Sequence, residues 1–231
     1  MIAETLEYPL RGDDTLKTFL IGSILLLFSF IPIIPTVLLL GYFVRVLRGE
    51  SDQPPTFDEW VTLGKEGVGG FVIVIVYSLI PFLILVFPLL IIGMFVGYGI
   101  VINYDVHSLE NLLEITTVSI IAFFYFIALT IMGLLATLIT SYVTPAALGI
   151  YARTTSLSAT FTLKNLRQAI FSKSYLSAWL LAMAILVIGG LFATALMVIL
   201  IGFVVLFYLL VVAFRILAQG LPAIQTSANH D

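Results

Sequence analysis

This sequence contains no cysteine and few charged residues for its length. The absence of cysteine excludes disulfide bonds and thiol chemistry. Only 10% of its 231 residues are Asp, Glu, Lys or Arg, whereas soluble domains carry about a quarter. No nucleophile–base pair, no pair of buried carboxylates and no spacing of metal ligands can be recognised in it. We therefore expect no enzymatic activity, no metal site and no cofactor.

Most of the chain is apolar, since 61% of the residues are hydrophobic. Four runs contain no Asp, Glu, Lys or Arg, and they cover 18–44, 67–104, 115–152 and 174–214. Each run exceeds the roughly 20 residues that an α-helix needs to cross a bilayer. We therefore predict an all-α fold, a polytopic transmembrane helical bundle, in which residues 1–231 form a single multi-pass domain of the cell membrane.

The lengths of the runs predict about six spans. As one helix, run 67–104 would be about 57 Å long, against a hydrocarbon core of about 30 Å. We expect it to form two short spans that turn between Pro81 and Pro88, and run 174–214 to form two spans as well. The first run is interrupted by Pro32 and Pro35, which either kink a single span or turn a re-entrant hairpin. The kinked span is the favoured interpretation.

A six-span topology places the loops on alternating sides of the membrane. Both termini and loop 151–174 would be cytoplasmic, and loops 45–66 and 105–114 would be outside, which leaves seven of the ten Lys and Arg inside. A four-span topology with both termini outside accounts for the charges equally well. Loop 105–114 is acidic and is expected to be solvated rather than to bind metal.

Two short amphipathic helices are predicted to lie in the membrane interface. The first covers Thr56 to Glu66, where Thr56 and Glu59 match a capping box. In the second, between residues 163 and 170, apolar and cationic side chains fall on opposite faces. The expected interfacial side chains are Phe57, Trp60, Lys164 and Arg167.

A stripe of hydroxyl groups precedes Pro145 in the third run. The residues are Thr137, Thr140, Ser141 and Thr144. Hydroxyl groups at this spacing can bond to the backbone groups that Pro145 leaves without a partner, which is the favoured interpretation. Alternatively, they line a cavity.

A faint internal repeat relates the two halves of the chain. Leu40-Gly41 and Arg45 match Leu148-Gly149 and Arg153 in spacing, and an amphipathic stretch and a long apolar run follow each. We interpret these as three-span repeats over about 15–104 and 115–216, which six spans would make inverted.

Several segments resemble one family, the archaeal and bacterial membrane proteins of domain of unknown function 4013. The matching segments are Tyr8 to Lys17, Leu40 to Arg45, Arg48-Gly49-Glu50 with Pro54 to Trp60, and Pro145 to Phe161. The resemblance implies a multi-span fold. It implies no activity and no site residues, because no function is established for the family.

Two functional hypotheses remain open. The first is a non-enzymatic protein that organises membrane lipid, a partner membrane protein or a second copy of itself, without binding nucleic acid. The second is a small transporter or channel, with a site formed by hydroxyl groups and broken-helix backbone. The lack of ionisable side chains inside the apolar runs argues against ion-coupled transport.

Overall fold

The computed structural model describes residues 2–12, 14–29, 33–103 and 109–222, and within these ranges the secondary structure is helical, without strands. The all-α prediction is confirmed. The helices are α1 (Ile2–Glu7), α2 (Thr15–Phe28), α3 (Ile33–Arg48), α4 (Trp60–Asn103), α5 (Leu109–Thr154), α6 (Leu157–Phe161), α7 (Leu163–Ile170), α8 (Lys173–Leu196) and α9 (Ile201–Gly220).

In the part of the chain that the structure describes, four helices are long and apolar enough to cross a membrane. Their qualifying segments are Trp60–Met94, Thr116–Thr154, Lys173–Ile199 and Ile201–Gly220. The prediction of transmembrane helices agrees with this finding, whereas the count of six spans and the three-span repeat are not confirmed.

The expected turn between Pro81 and Pro88 is wrong. Both prolines lie inside α4, which continues for 44 residues. A proline removes one backbone donor and bends a helix, but the apolar residues on either side retain their own helical hydrogen bonds. In an apolar environment a helix that continues leaves fewer backbone groups unpaired than one that ends.

The first apolar run folds back as a helical hairpin, so the favoured kinked span is also wrong. The helices α2 and α3 pack on each other and on α9. Phe19, near the start of α2, and Phe43, near the end of α3, both contact the ring of Phe207, with centroid distances of 5.7 and 6.3 Å. Two ends of one kinked span could not meet at the same ring. Pro32 itself lies outside the described residues.

The last apolar run forms two helices, as predicted, and they pack on each other as an antiparallel pair. A 3₁₀ turn over Met197–Ile199 and a left-handed Leu200, with φ of 62°, join α8 to α9. Gly202 follows at a position where a Cβ atom would collide with the backbone oxygen of Ala193. A glycine therefore allows the two helices to approach at the turn.

Two compact units make up the chain, one formed by residues 1–74 and 142–231 and the other by 75–141. An aromatic core lies inside the first unit, which we call the larger unit. Its buried rings are Tyr8, Tyr42, Phe43, Phe57 and Phe207. The second unit contains the remaining parts of α4 and α5, where Gly133 leaves room for the side chain of Leu85.

The helix α4 begins at Trp60, four residues after the predicted N-cap. Glu59 precedes it with a positive φ of 54°, and residues 56–59 are not helical. Phe57 is stacked on Tyr42 at 4.5 Å between centroids, and this tertiary contact holds the chain outside the helix. A separate interfacial helix from Thr56 to Glu66 is therefore wrong, because its second half is the first part of α4.

Candidate functional site

Loops that the six-span topology placed on opposite sides meet at one end of the larger unit. Arg48, at the end of α3, donates from Nε to the carbonyl oxygen of Ala152 in the last turn of α5, at 2.9 Å. Arg215 of α9 lies 3.4 Å from the carboxylate of Asp52. The expected alternation of loops 45–66 and 151–174 is wrong, and we call the place where they meet the basic end.

The name follows from the distribution of the cations. Between Glu66 and Ala152 the sequence has no Lys or Arg, so all ten belong to the larger unit. They occupy the helix ends and loops of the basic end: Arg11, Lys17, Arg45, Arg48, Lys65, Arg153, Lys164, Arg167, Lys173 and Arg215. The start of α8 also lies at the basic end, because the backbone of Ser174 closely approaches Gly220, the last residue of α9.

An ion-pair network links α3 to α4 at this end. Glu66 accepts from Arg45 Nε at 2.7 Å and from a terminal nitrogen of Arg48 at 2.6 Å. The three side chains are 17%, 16% and 22% exposed, so each carboxylate oxygen has a guanidinium partner in a partly desolvated setting. Such paired, hydrogen-bonded charges are strong because their geometry is fixed by the guanidinium plane.

A polar cavity of about 490 Å³ opens beside this network. Its lining includes both arginines of the network, Glu66 and the exposed Glu50 and Glu59. Both guanidinium groups are already paired with Glu66, so the cavity offers hydrogen-bonding groups rather than an open anion site. Among the residues that the structure describes, no cluster of three or more His, Cys, Asp or Glu side chains could hold a metal.

Arg153 caps the C-terminus of α9. Its guanidinium donates to the carbonyl oxygens of Ala218 at 2.9 Å and Pro222 at 2.6 Å, with a longer contact to Leu221. The last carbonyl groups of a helix lack intrahelical donors and carry partial negative charge, so a cation there is favourable. This contact ties the end of α5 to the end of α9.

The N-terminal segment is held by a cation–π contact. The guanidinium of Arg215 lies 4.4 Å from the ring centroid of Tyr8, whose hydroxyl donates to the carbonyl of Gln53 at 3.2 Å. Burial raises the pKa of the Tyr8 hydroxyl, which stays a neutral donor. Nearby, a hydrogen bond from Thr56 and the neighbouring Lys17 hold the pKa of Asp58 below its usual value.

The second amphipathic helix is present as α7, preceded by the short α6. Lys164 and Arg167 are exposed, as expected of interfacial side chains. Leu163 and Phe171 are 81% and 77% exposed, whereas Ala169 is fully buried. The segment therefore presents cationic and apolar groups together on its outer surface.

The two aromatic residues expected at the interface have different environments. Trp60 is 47% exposed, and its ring is stacked on Phe57 with 6.1 Å between centroids. Phe57 is only 2% exposed and belongs to the aromatic core, so its ring contacts protein rather than the surroundings.

The hydroxyl stripe of α5 bonds mainly within its own helix. Thr137 donates to the carbonyl of Gly133 and Ser141 to that of Leu138, both at 2.8 Å. Thr140 is partly buried, and the Thr144 hydroxyl is buried without a hydrogen-bond partner among the described residues. The polar cavity is lined by other residues. Thr137 and Ser141 therefore bond carbonyl groups of their own helix, but neither of these is the carbonyl that Pro145 leaves free, so the favoured interpretation stays a prediction.

The family model for the protein of unknown function DUF4013 matches residues 24–198. The chain belongs to this family. No curated protein and no solved structure matches the chain. The resemblance found in the sequence is thereby confirmed, and DUF4013 membership together with the apolar helices fits an integral membrane protein of unknown function.

Sequence reasoning did not identify the residues that organise the basic end. These are Arg45, Arg48, Glu66, Arg153 and Arg215. Their common signal is position, since each cation follows directly or within a few residues after a long apolar run and Glu66 immediately precedes one. Charges in such places are candidates for helix-end contacts, but the partners are distant in sequence.

Proposed function

We propose that this DUF4013 protein is a non-enzymatic membrane protein that organises lipid, or a partner membrane protein, at its basic end. The observation that carries the proposal is the gathering of all ten Lys and Arg at one end, where α7 also exposes apolar side chains. A surface of this kind suits the boundary between headgroups and acyl chains.

A four-span topology with a re-entrant hairpin supports the proposal best. Loops rich in Lys and Arg stay in the cytoplasm, so the basic end faces the cytoplasm in the cell membrane. From there α4, α5, α8 and α9 enter and cross the bilayer, and α4 and α5, with 44 and 46 residues, are longer than the hydrocarbon core and extend beyond it. The helices α2 and α3, of 14 and 16 residues, are about 21 and 24 Å long, which is short of the roughly 30 Å hydrocarbon core. They enter from the cytoplasmic side and return to it.

Single-cysteine labelling tests this topology, because the native chain has no cysteine. Ser51→Cys and Ser158→Cys are expected to react with a membrane-impermeant maleimide only from the cytoplasmic side of sealed vesicles. Val198→Cys, at the opposite end of α8 and 89% exposed, is the matched position that should react only from outside. Labelling of Ser51→Cys and Ser158→Cys from opposite sides would refute it.

The organising role requires a lipid or protein that stays with the chain. The outer face of α2 is available for either, since Leu16, Leu20, Ile24 and Phe28 recur every fourth residue and are 48–76% exposed. Extraction into nanodisc-forming polymer, followed by lipid mass spectrometry and native mass measurement, should recover an enriched lipid or a bound chain. Bulk lipid composition around a bare monomer would contradict the role.

One observation favours passage of a small polar solute as a second candidate function. The cavity of about 490 Å³ at the basic end is lined largely by charged and hydrogen-bonding groups. Sealed proteoliposomes under imposed proton and sodium gradients test whether such passage is coupled to either ion. Protein-dependent flux that Thr62→Val within the cavity lining abolishes, while Thr137→Val outside it does not, would replace the organising role by transport.

A further inference from the structure

The helix α7 is held to the larger unit on one side only. Ala169 is fully buried, and the hydroxyl of Tyr142 on α5 donates to the carbonyl of Ile170 at the end of α7. At the other end, the Asn165 side chain donates to the carbonyl of Ala159 in α6 at 3.1 Å. These contacts fix the orientation of α7 and leave its opposite side uncovered.

The uncovered side carries a strip of alternating apolar and cationic side chains. Leu163, Arg167 and Phe171 follow one another at intervals of four residues, which places them on one strip of the helix and its end. The Arg167 guanidinium lies 5.8 Å from the ring centroid of Phe171, and Lys164 stands beside the strip. Together they line a shallow, open recess of about 670 Å³.

The charge on the segment that carries this strip has a single sign. Arg153, Lys164, Arg167 and Lys173 are the charged residues of segment 153–173. The sequence contains no Asp or Glu between Glu114 and Asp231, so no neighbouring acid within the second half of the chain can neutralise them. The complementary partner is therefore anionic.

We propose that α7 docks into a layer of anionic phospholipid headgroups, with Lys164 and Arg167 on the phosphates and Leu163 and Phe171 at the acyl boundary. The position of α7 in the chain selects lipid, because the membrane-crossing α8 begins at Lys173, two residues after Phe171. A helix tethered this close to a span lies at the bilayer surface, and its two apolar residues need an apolar phase. This inference rests on the proposed function.

Lipid selectivity in reconstituted vesicles tests the inference. The full chain is placed in phosphatidylcholine vesicles, and the association of spin-labelled phosphatidylglycerol is compared with that of spin-labelled phosphatidylcholine at low salt. Wild type should prefer phosphatidylglycerol. Lys164→Gln with Arg167→Gln should lower that preference by roughly fivefold for each charge removed, and 0.5 M salt should lower it in wild type. Lys65→Gln, an exposed cation of the same end, is the matched control and should retain the preference.

A second measurement reports where α7 lies relative to the lipid rather than how strongly the protein selects phosphatidylglycerol. A polarity-sensitive dye on Leu163→Cys should shift to the blue when phosphatidylglycerol is added to the vesicles, and a dye on Ser158→Cys should shift less. If wild type prefers phosphatidylglycerol and the double variant keeps the full preference, docking through α7 is overturned while lipid organisation by the basic end stands. If wild type shows no preference, the lipid role itself fails as well.

Discussion

Two connections of the larger unit begin with the same sequence signal and end differently. Residues 45–66 and 153–173 both begin with an arginine near the end of an apolar helix, and a Leu-Gly pair precedes each arginine by a few residues. The first connection contains acids as well as cations, and it turns inward through Phe57 and Glu66. The second contains only cations and turns outward, exposing Leu163 and Phe171.

The comparison shows that an amphipathic pattern does not by itself decide what a segment contacts. Phe57 and Phe171 are both aromatic residues beside a helix that is long and apolar enough to cross a membrane, but one is 2% and the other 77% exposed. The inner residue has a ring partner, Tyr42, at 4.5 Å, and its segment has Glu66 to neutralise the nearby arginines. The outer segment has no acid, and its Lys164 and Arg167 stay exposed.

Removing the buried ring of Phe57 should have the largest effect on the free energy of unfolding. Phe57→Ala is expected to lower the free energy of unfolding by about 3–5 kcal/mol, because it leaves a cavity among Tyr42, Phe207 and Trp60. Phe171→Ala, the matched outer change, should alter it by less than about 0.5 kcal/mol. Thermal unfolding in detergent micelles measures both. Equal losses of stability in Phe57→Ala and Phe171→Ala would contradict the conclusion that the first connection packs inward and the second outward.

The ion-pair network should come next. Glu66→Gln leaves two partly buried guanidinium groups without their carboxylate and is expected to cost about 3 kcal/mol. Glu50→Gln, at a carboxylate that is 76% exposed and 3.9 Å from Arg48, should cost less than about 1 kcal/mol. Unfolding at several salt concentrations separates them further, since only the exposed pair is strongly screened. If Glu66→Gln were as stable as wild type, the ion-pair network would not contribute to the stability of the fold.

A smaller loss is expected at the helix end that Arg153 caps. Arg153→Gln should cost about 2 kcal/mol, because the carbonyl groups of Ala218 and Pro222 lose a charged donor. Arg153→Lys should recover only part of this, since an ammonium cannot reproduce the guanidinium fork. Hydrogen exchange at the end of α9 reports the change locally. Unchanged protection there in both variants would contradict the capping role.

The smallest effect should be that of a single outer cation. Lys164→Gln is expected to change the free energy of unfolding by less than about 0.5 kcal/mol, because the side chain is exposed. Its effect should appear in lipid selectivity instead. A loss of stability comparable with that of Arg153→Gln would place Lys164 in an internal contact and weaken its assignment to the lipid-facing strip.

Much of the helical content could be predicted from the sequence because it depends on local pattern. The uncharged runs identified the apolar helices, and the segregation of Lys164 and Arg167 from Leu163, Leu166 and Ile170 identified α7. The start of α4 could not be found in this way. Thr56 and Glu59 satisfy a local capping rule, but burial of Phe57 among rings from other helices outweighs one cap.

The sequence by itself determined that this chain is helical, apolar enough for a membrane, and basic without acids from Arg153 to Lys173, since composition and periodicity are properties of neighbouring residues. Only the tertiary structure decided that the first run folds back at Phe207, that α4 continues through Pro81 and Pro88, and that Arg48 reaches Ala152. The continuation of α4 depends on the helical hydrogen bonds that persist on either side of each proline. The other two outcomes depend on contacts between residues far apart in the chain, such as Phe19 with Phe207 and Arg48 with Ala152. Their energies are set by packing and pairing in three dimensions, which no local pattern contains.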